Sequence, residues 1–272
     1  MPNQQVDLFS GDIKSVKLLL NLIKSIQFRT TATCHIYEEG MTFTVVEHQC
    51  LKAVAFVKRL NFERYRKQPD TTIEPFNVNL NTFVDCLSIL GPSASGTADT
   101  CKIIYQSEGS PLEITREDRE LKLSITSKIT PLEVDTDAAD ITANDREVIQ
   151  RAIMKANWLN DALSDLDTSC ERVTMVFSNV DPCFKLYGEG GTGIDSMTEY
   201  FENTEPIVGF DSTEDGSYSY LYSHIIHCTK ALEQAKEVSM KVSSEGILSM
   251  LFRLKFNDDA YIEFTVLPYQ PN

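Results

Sequence analysis

The chain has 272 residues, and its 40 Asp and Glu residues outnumber its 25 Lys and Arg residues, which gives a formal net charge of −15 at pH 7. A composition that is 42% hydrophobic and 24% charged excludes a disordered or collagen-like chain, and no apolar run approaches the length of a membrane span. So acidic a chain is not expected to cover nucleic acid with its whole surface, although a single basic face is compatible with this charge.

In the first half of the chain, predicted strands surround two short helices. Asp12 is predicted to cap the first helix, whose apolar positions recur at steps of three and four residues and are Val16, Leu19, Leu20, Ile23 and Ile26. The second helix is predicted at residues 81–90, before a Gly-Pro pair. Strands are predicted at residues 32–36, 41–46, 76–80, 101–106, 112–115 and 120–130. In the last strand apolar and polar residues alternate, which predicts one buried face.

The second half of the chain repeats this order of elements. A strand and a helix are predicted within residues 148–166, with Asn157 as the helix cap, and strands follow within residues 173–187. Another helix is predicted at residues 229–237, and the closing strands at residues 246–267. Equivalent elements lie about 140 residues apart, which is far longer than a solenoid repeat. We therefore predict an α+β fold of two similar domains, residues 1–130 and 146–272, joined by an acidic connector at residues 131–145.

Several lysines lie on or beside the predicted helices. Lys14, Lys17 and Lys24 follow a helical spacing and are predicted to share one face of the first helix. Lys155 precedes the third helix, and Lys230 lies near the start of the fourth. Each of them is also compatible with an ordinary solvated helix face. If the helices line one surface, however, an acidic protein presents a positive strip to phosphate groups there.

Other chemistry-bearing residues favour simple structural interpretations. The seven cysteines are scattered and include no CxxC pair, so we expect free thiols and a reducing compartment, the cytosol or the nucleus. His224, His227 and Cys228 lack a fourth ligand at a recognisable spacing, so we expect no metal site. Residues 188–193 fit GxGxxG, but no parallel βαβ pattern surrounds them, and we interpret them as a loop between strands. No catalytic residue and no cofactor are predicted.

The order of elements, together with six short segments, resembles the sliding DNA clamps, the family of proliferating cell nuclear antigen. Within that family, the chain is most similar to the Rad-one-type subunits of the nine-one-one DNA-damage checkpoint clamp. The segments that carry the resemblance are residues 28–34 (FRTTATC), 85–91 (DCLSILG), 105–112 (YQSEGSPL), 163–167 (LSDLD), 229–232 (TKAL) and 246–249 (GILS). They extend through almost the whole chain, and their joint order is more specific than any one of them.

The resemblance implies a non-catalytic subunit of a heterotrimeric ring that encircles double-stranded DNA at damage sites in the nucleus. Its implied partners are two sister subunits of the nine-one-one clamp, the checkpoint clamp loader, repair enzymes and the checkpoint kinase machinery. The implied DNA-facing residues lie on helices that line the hole. Those that match basic inner positions are Lys17, Lys24 and Lys230, and proximity to these positions suggests Lys14 and Lys155.

The resemblance also implies that neighbouring subunits join through edge strands, because an unpaired edge can continue its sheet into another chain. The first implied edge strand is residues 120–130, with Leu121, Leu123 and Ile125. The second is residues 195–203, with Met197 and Tyr200. Two different edges imply heterologous contacts that close into a ring at a fixed number of subunits.

Two other functions are open from the sequence alone. A 3′–5′ exonuclease would need carboxylates that converge from separate strands onto metal ions, and abundant acids in an acidic chain do not show such convergence. A homotrimeric replication clamp would have the same fold but would assemble from three copies of one chain.

Overall fold

Two units make up the chain in the computed structural model: Met1–Val45 with Val54–Ala138, and Val46–Ala53 with Ala139–Asn272. The structure describes residues 7–90, 99–118, 122–134, 141, 147–190, 193–255 and 257–270. Most of the predicted connector, residues 131–145, lies outside these ranges, so the predicted domain boundaries stay a prediction. None of the helices in the described ranges has the length and apolarity required to cross a bilayer.

The first half of the chain forms two antiparallel sheets and two helices. Its strands are β1 (Phe9–Ile13), β2 (Thr31–Ile36), β3 (Gly40–Glu47), β4 (Leu51–Lys58), β5 (Phe62–Lys67), β6 (Phe76–Asn79), β7 (Asp99–Tyr105), β8 (Leu112–Asp118) and β9 (Leu123–Ile129). Its helices are α1 (Val16–Ser25) and α2 (Leu80–Ser88). The strand order is β5-β1-β7-β8-β9 in one sheet, and β4-β3-β2-β6 follow one another in the other.

The second half of the chain has the same plan. Its strands are β10 (Val148–Lys155), β11 (Arg172–Phe177), β12 (Phe184–Gly190), β13 (Gly193–Tyr200), β14 (Ile207–Ser212), β15 (Gly216–Leu221), β16 (Ala235–Ser243), β17 (Leu248–Leu254) and β18 (Ala260–Val266). Its helices are α3 (Ala156–Ser164), α4 (Tyr222–Ile225) and α5 (Thr229–Gln234), with a 3-10 turn at Ile226–Cys228. The strand orders are β14-β10-β16-β17-β18 and β13-β12-β11-β15.

In both halves a helix follows the first strand, and helical residues follow the sixth. The predicted duplication and the predicted α+β class are therefore confirmed. Within each half the helices pack in a pair, α1 against α2 and α3 against α5, and each pair contacts its five-stranded sheet. The alternation of buried and exposed residues along the strands gives each sheet one face toward a core.

The start of α1 differs from the prediction. Asp12 is the fourth residue of β1 and lies 3.8 Å from Nε of Arg64, so it does not cap the helix. The cap is Ser15, whose Oγ accepts a hydrogen bond of 3.2 Å from the backbone N–H of Leu18. The strand extends further than its sequence suggests, and for this reason Lys14 lies before the helix and not on its face.

Other boundaries also differ. The Asn79 side chain caps α2 through the backbone N–H of Thr82 at 3.0 Å, so this helix begins one residue early and ends at Ser88. Asn157 is an exposed residue inside α3, which follows β10 directly and has no side-chain cap. The fourth predicted helix ends at Gln234, because the next residue begins β16.

Two predictions for strand regions were wrong in detail. In β9 only Ile129 is buried, because the strand lies at the end of its sheet, and the predicted buried face with Leu123 is absent. The described part of the glycine-rich segment is strand, because Gly188 belongs to β12, Gly193 begins β13, and the two strands pair antiparallel. Residues 191 and 192 lie outside the described ranges.

Candidate nucleic-acid interface

Helix α1 has one apolar face and one basic face. Its buried side chains include Val16, Leu19 and Leu22, and the predicted Leu20 is only half-buried. Lys17 and Lys24 are exposed on the other face, and among the described residues neither forms an ion pair. The helix contains no acidic residue in its first turn, so nothing on α1 itself offsets these two charges. The face is thus suited to contact phosphate groups.

In the second half, α5 has a similar but weaker feature. Ala231 and Leu232 of this helix are buried, whereas Lys230 is exposed. The charge of Lys230 acts on His227: burial is the main cause that lowers the pKa of this histidine, Glu47 opposes the effect, and Lys230 adds to it.

The remaining two predicted DNA-facing lysines are held by neighbouring groups. Nζ of Lys14 donates a hydrogen bond of 2.7 Å to the carbonyl oxygen of Leu60. Nζ of Lys155 lies 2.9 Å from a carboxylate oxygen of Glu205. Because these contacts occupy the two ammonium groups and partly neutralise Lys155, both residues are weaker candidates than Lys17 and Lys24.

The helices that pack beside α1 and α5 contribute no cation. Helix α2 exposes Thr82, Asp85 and Ser88, and α3 exposes Asp161, with Asp165 just after its end. This distribution of charge limits phosphate contacts by lysines to one helix of each pair.

The predicted subunit-interface residues lie on two strands, each at the end of its sheet. Leu123 of β9 is 43% exposed and Met197 of β13 is 53% exposed, whereas Ile125 is half-buried. Leu121 lies outside the described residues. Tyr200 is buried, and its hydroxyl donates a hydrogen bond of 2.9 Å to the carbonyl oxygen of Trp158. It therefore anchors β13 to the start of α3, and burial raises its pKa to about 12.

Two exposed aromatic residues near Tyr200 were missed in the sequence analysis. Phe201 directly follows Tyr200 in the chain. Trp158, the chain's single tryptophan, accepts the Tyr200 hydrogen bond through its backbone carbonyl oxygen. Their signal in the sequence was weak, since aromatic residues at a helix start or strand end are more often part of a core. Their exposure becomes evident only from the structure.

No cluster in the described ranges offers three or more His, Cys, Asp or Glu side chains to a metal ion. All seven cysteines are free thiols. Among the residues singled out in the sequence, His227 Nε2 lies 3.6 Å from Glu47 Oε2, and burial raises the pKa of Cys228 to about 12. These groups pack within their own unit.

Comparison with known proteins decides the family. A model of the family described as "Repair protein Rad1/Rec1/Rad17" matches residues 8–253. The chain belongs to the Rad1/Rec1/Rad17 family. Because the match extends through both units, it includes every candidate residue discussed above.

Named relatives of this Rad1-family chain agree with the assignment. The human "Cell cycle checkpoint protein RAD1" is 29% identical over 255 residues, which cover 93% of this chain and 88% of the human protein. The Schizosaccharomyces pombe "DNA damage checkpoint control protein rad1" is 25% identical over 282 residues, covering 96% and 86%. Checkpoint proteins thus align with this chain over nearly their whole length.

Solved structures identify the fold of the Rad1-family chain. PCNA from Thermococcus kodakaraensis aligns with a TM-score of 0.77 at 15% identity and covers 96% of this chain and 100% of that structure. PCNA from Entamoeba histolytica gives a TM-score of 0.75 at 11% identity, with 97% and 100% covered. The chain has the DNA-clamp fold, and the predicted resemblance is confirmed.

Proposed function

We propose that this chain is a non-catalytic subunit of a heterotrimeric ring that encircles double-stranded DNA and acts in the DNA-damage checkpoint. The observation that carries the proposal is the clamp fold of a chain whose named relatives are checkpoint proteins. A ring needs no sequence readout, and weak phosphate contacts let it slide. A net charge of −15, with a few exposed lysines on helices, agrees with weak contact.

The proposed partners follow from the same assignment. Two sister subunits complete the ring, a checkpoint clamp loader places it on DNA, and repair enzymes and checkpoint kinase machinery use it as a platform in the nucleus. The edge strands β9 and β13 are the proposed contacts with the sister subunits. Their exposed Leu123 and Met197 support this role, because obligate interfaces bury apolar side chains.

The proposal is tested by removing three charges from the helices. The variant Lys17→Ala/Lys24→Ala/Lys230→Ala is assembled with the sister subunits on linear DNA, from whose free ends a closed ring can slide off, and retention of the ring is measured across a salt series. Loss of up to three phosphate contacts should weaken retention about tenfold at low salt and flatten its salt dependence, since each contact contributes about 0.9 to the logarithmic slope.

A matched control removes the same number of charges from strands. Arg64→Ala/Arg151→Ala/Lys241→Ala alters three exposed side chains of β5, β10 and β16 and should leave retention unchanged. Equal salt curves for wild type and the helix variant would contradict the DNA-facing roles. Magnesium-dependent DNA degradation by the purified chain, abolished by one carboxylate substitution, would contradict the non-catalytic assignment and favour the exonuclease.

A further inference from the structure

A polar cleft of about 850 Å³ lies in the first unit, on strands β5, β1 and β7. On β1, Phe9, Gly11 and Ile13 are buried, so the intervening Ser10 and Asp12 lie on the opposite face of the sheet. Arg66 of β5 pairs with Ser10 in the ladder, and Lys102 of β7 pairs with Asp12. Tyr65 and Lys67 also line the cleft, and they pair with Gly11 and Phe9 on the core side of the sheet. The cleft therefore extends around strand β5, with Arg66 and Lys102 on the outer face.

The charges that line this cleft are mostly positive. Four cations and two carboxylates line it, in a chain whose net charge is −15. One cation is already occupied: Nζ of Lys67 lies 2.9 Å from Glu38 and donates a hydrogen bond to the carbonyl oxygen of Thr71. This pair neutralises Glu38, which leaves Asp7 as the remaining carboxylate of the cleft.

The other three cations are exposed and have no ion pair among the described residues: Arg59, Arg66 and Lys102. The guanidinium of Arg59 lies 5.8 Å from the ring centroid of Tyr65, a cation–π contact that orients the side chain without using its N–H donors. Ser10 and Gln68 add neutral polar groups to the lining. Two guanidinium groups, an ammonium and a hydroxyl are the donors that a phosphate dianion prefers.

We propose that this cleft binds a phosphorylated peptide segment through one phosphate group. Strand β5 ends its sheet in the described part of the chain, so an extended peptide can run along it and place its phosphate against Arg66. Lys102, two strands away on β7, adds to the positive potential there. A duplex fits less well, because the Asp7 carboxylate at the cleft repels a second phosphate. The cleft is thus a separate site from the lysine-bearing helices.

The test uses the full chain and fluorescence anisotropy with three labelled probes. These are a short peptide with one central phosphoserine between neutral residues, the same peptide without phosphate, and a short DNA duplex. The wild type should bind the phosphorylated peptide about tenfold more tightly than the other two probes, as charge-assisted bidentate contacts predict. Arg66→Gln/Lys102→Gln should abolish this preference, and Arg59→Gln alone should reduce it.

The matched control is Arg151→Gln/Lys241→Gln, which removes two charges from neighbouring positions on β10 and β16 and should keep the preference. Thermal unfolding of each variant is measured to check that it is folded. Equal affinity for both peptides, or no binding of either, overturns the proposal. If the wild type binds the duplex but not the phosphopeptide, and the cleft variant loses duplex binding, the cleft is a DNA site. This result also overturns the proposal.

Discussion

In each unit a buried tyrosine hydroxyl donates a hydrogen bond to a glycine carbonyl oxygen. The hydroxyl of Tyr65 lies 2.8 Å from the carbonyl oxygen of Gly40 and 2.6 Å from that of Tyr37. The hydroxyl of Tyr220 donates a hydrogen bond of 2.9 Å to the carbonyl oxygen of Gly246. Gly246 has a φ of +78°, where a side chain is strained, so its turn depends on both the glycine and the tyrosine.

We predict that Tyr65→Phe and Tyr220→Phe each lower the free energy of unfolding by about 0.5–1.5 kcal/mol, because a buried carbonyl loses one hydrogen bond while the ring stays packed. Urea denaturation of the purified chain measures the change. Tyr269→Phe is the matched control, since Tyr269 is 37% exposed, and it should change stability by less than about 0.5 kcal/mol. A cost for the control equal to that of the buried pair would contradict this account.

At the scale of elements, the sequence predicted α1, α2, α3 and α5 but missed α4, and it misplaced the starts of the first three helices. Apolar spacing identified α1, since burial of Leu19 and Ile23 follows directly from the 3.6-residue period. Its start depended on how far β1 extends, and this is decided by the pairing of Ile13 with Phe62 of β5. Such a partner lies too far along the chain for local patterns to indicate it.

The candidate interface was predictable to a similar extent. Lys17 and Lys24 could be selected from spacing alone, because a residue's position on a helix fixes the face that it occupies. The contacts of Lys14 with Leu60 and of Lys155 with Glu205 could not be predicted from the sequence, because each joins residues about 50 positions apart. For the same reason, the anchoring role of Tyr200 appears only in the structure.

The helical segment from α4 to α5 should make stability depend on pH. Burial lowers the pKa of His224 and of His227, and the charge of Glu47 opposes the shift in both cases. A histidine with a lowered pKa in the folded state binds fewer protons there than in the unfolded state. The stabilisation that such a histidine contributes is therefore complete above a pH of about 6.5, its pKa in the unfolded chain. This stabilisation is lost as the pH falls through the lower pKa of the folded state.

We predict that the Tm of the wild type falls as the pH drops below about 6.5, and that His224→Gln/His227→Gln makes this fall shallower. The comparison uses the slope of Tm against pH, so a constant loss of stability in the variant does not affect it. Lys241→Gln, at an exposed position, is the control and should keep the wild-type slope. Parallel slopes for all three proteins would show that these two histidines do not carry the effect.

At the scale of the whole molecule, the duplicated plan leaves two sheets with exposed apolar side chains on their last strands. Leu123 on β9 and Met197 on β13 belong to different halves of the chain and to different sheets. Sister subunits that bind them differently would give heterologous contacts, which close into a ring only when the rotation between subunits allows it. An isolated chain without these partners should remain a monomer.

We therefore predict that Leu123→Asp and Met197→Asp each prevent ring assembly with the sister subunits, because a charge replaces an apolar side chain that the interface would bury. Light scattering after size exclusion gives the mass. Both variants should unfold at the wild-type temperature as isolated chains, since these side chains are 43% and 53% exposed.

The controls Leu60→Asp and Val180→Asp, at positions 64% and 70% exposed, should assemble normally. Complete rings from either variant would exclude that strand from the interface, and a trimer of the isolated chain would favour the homotrimeric clamp.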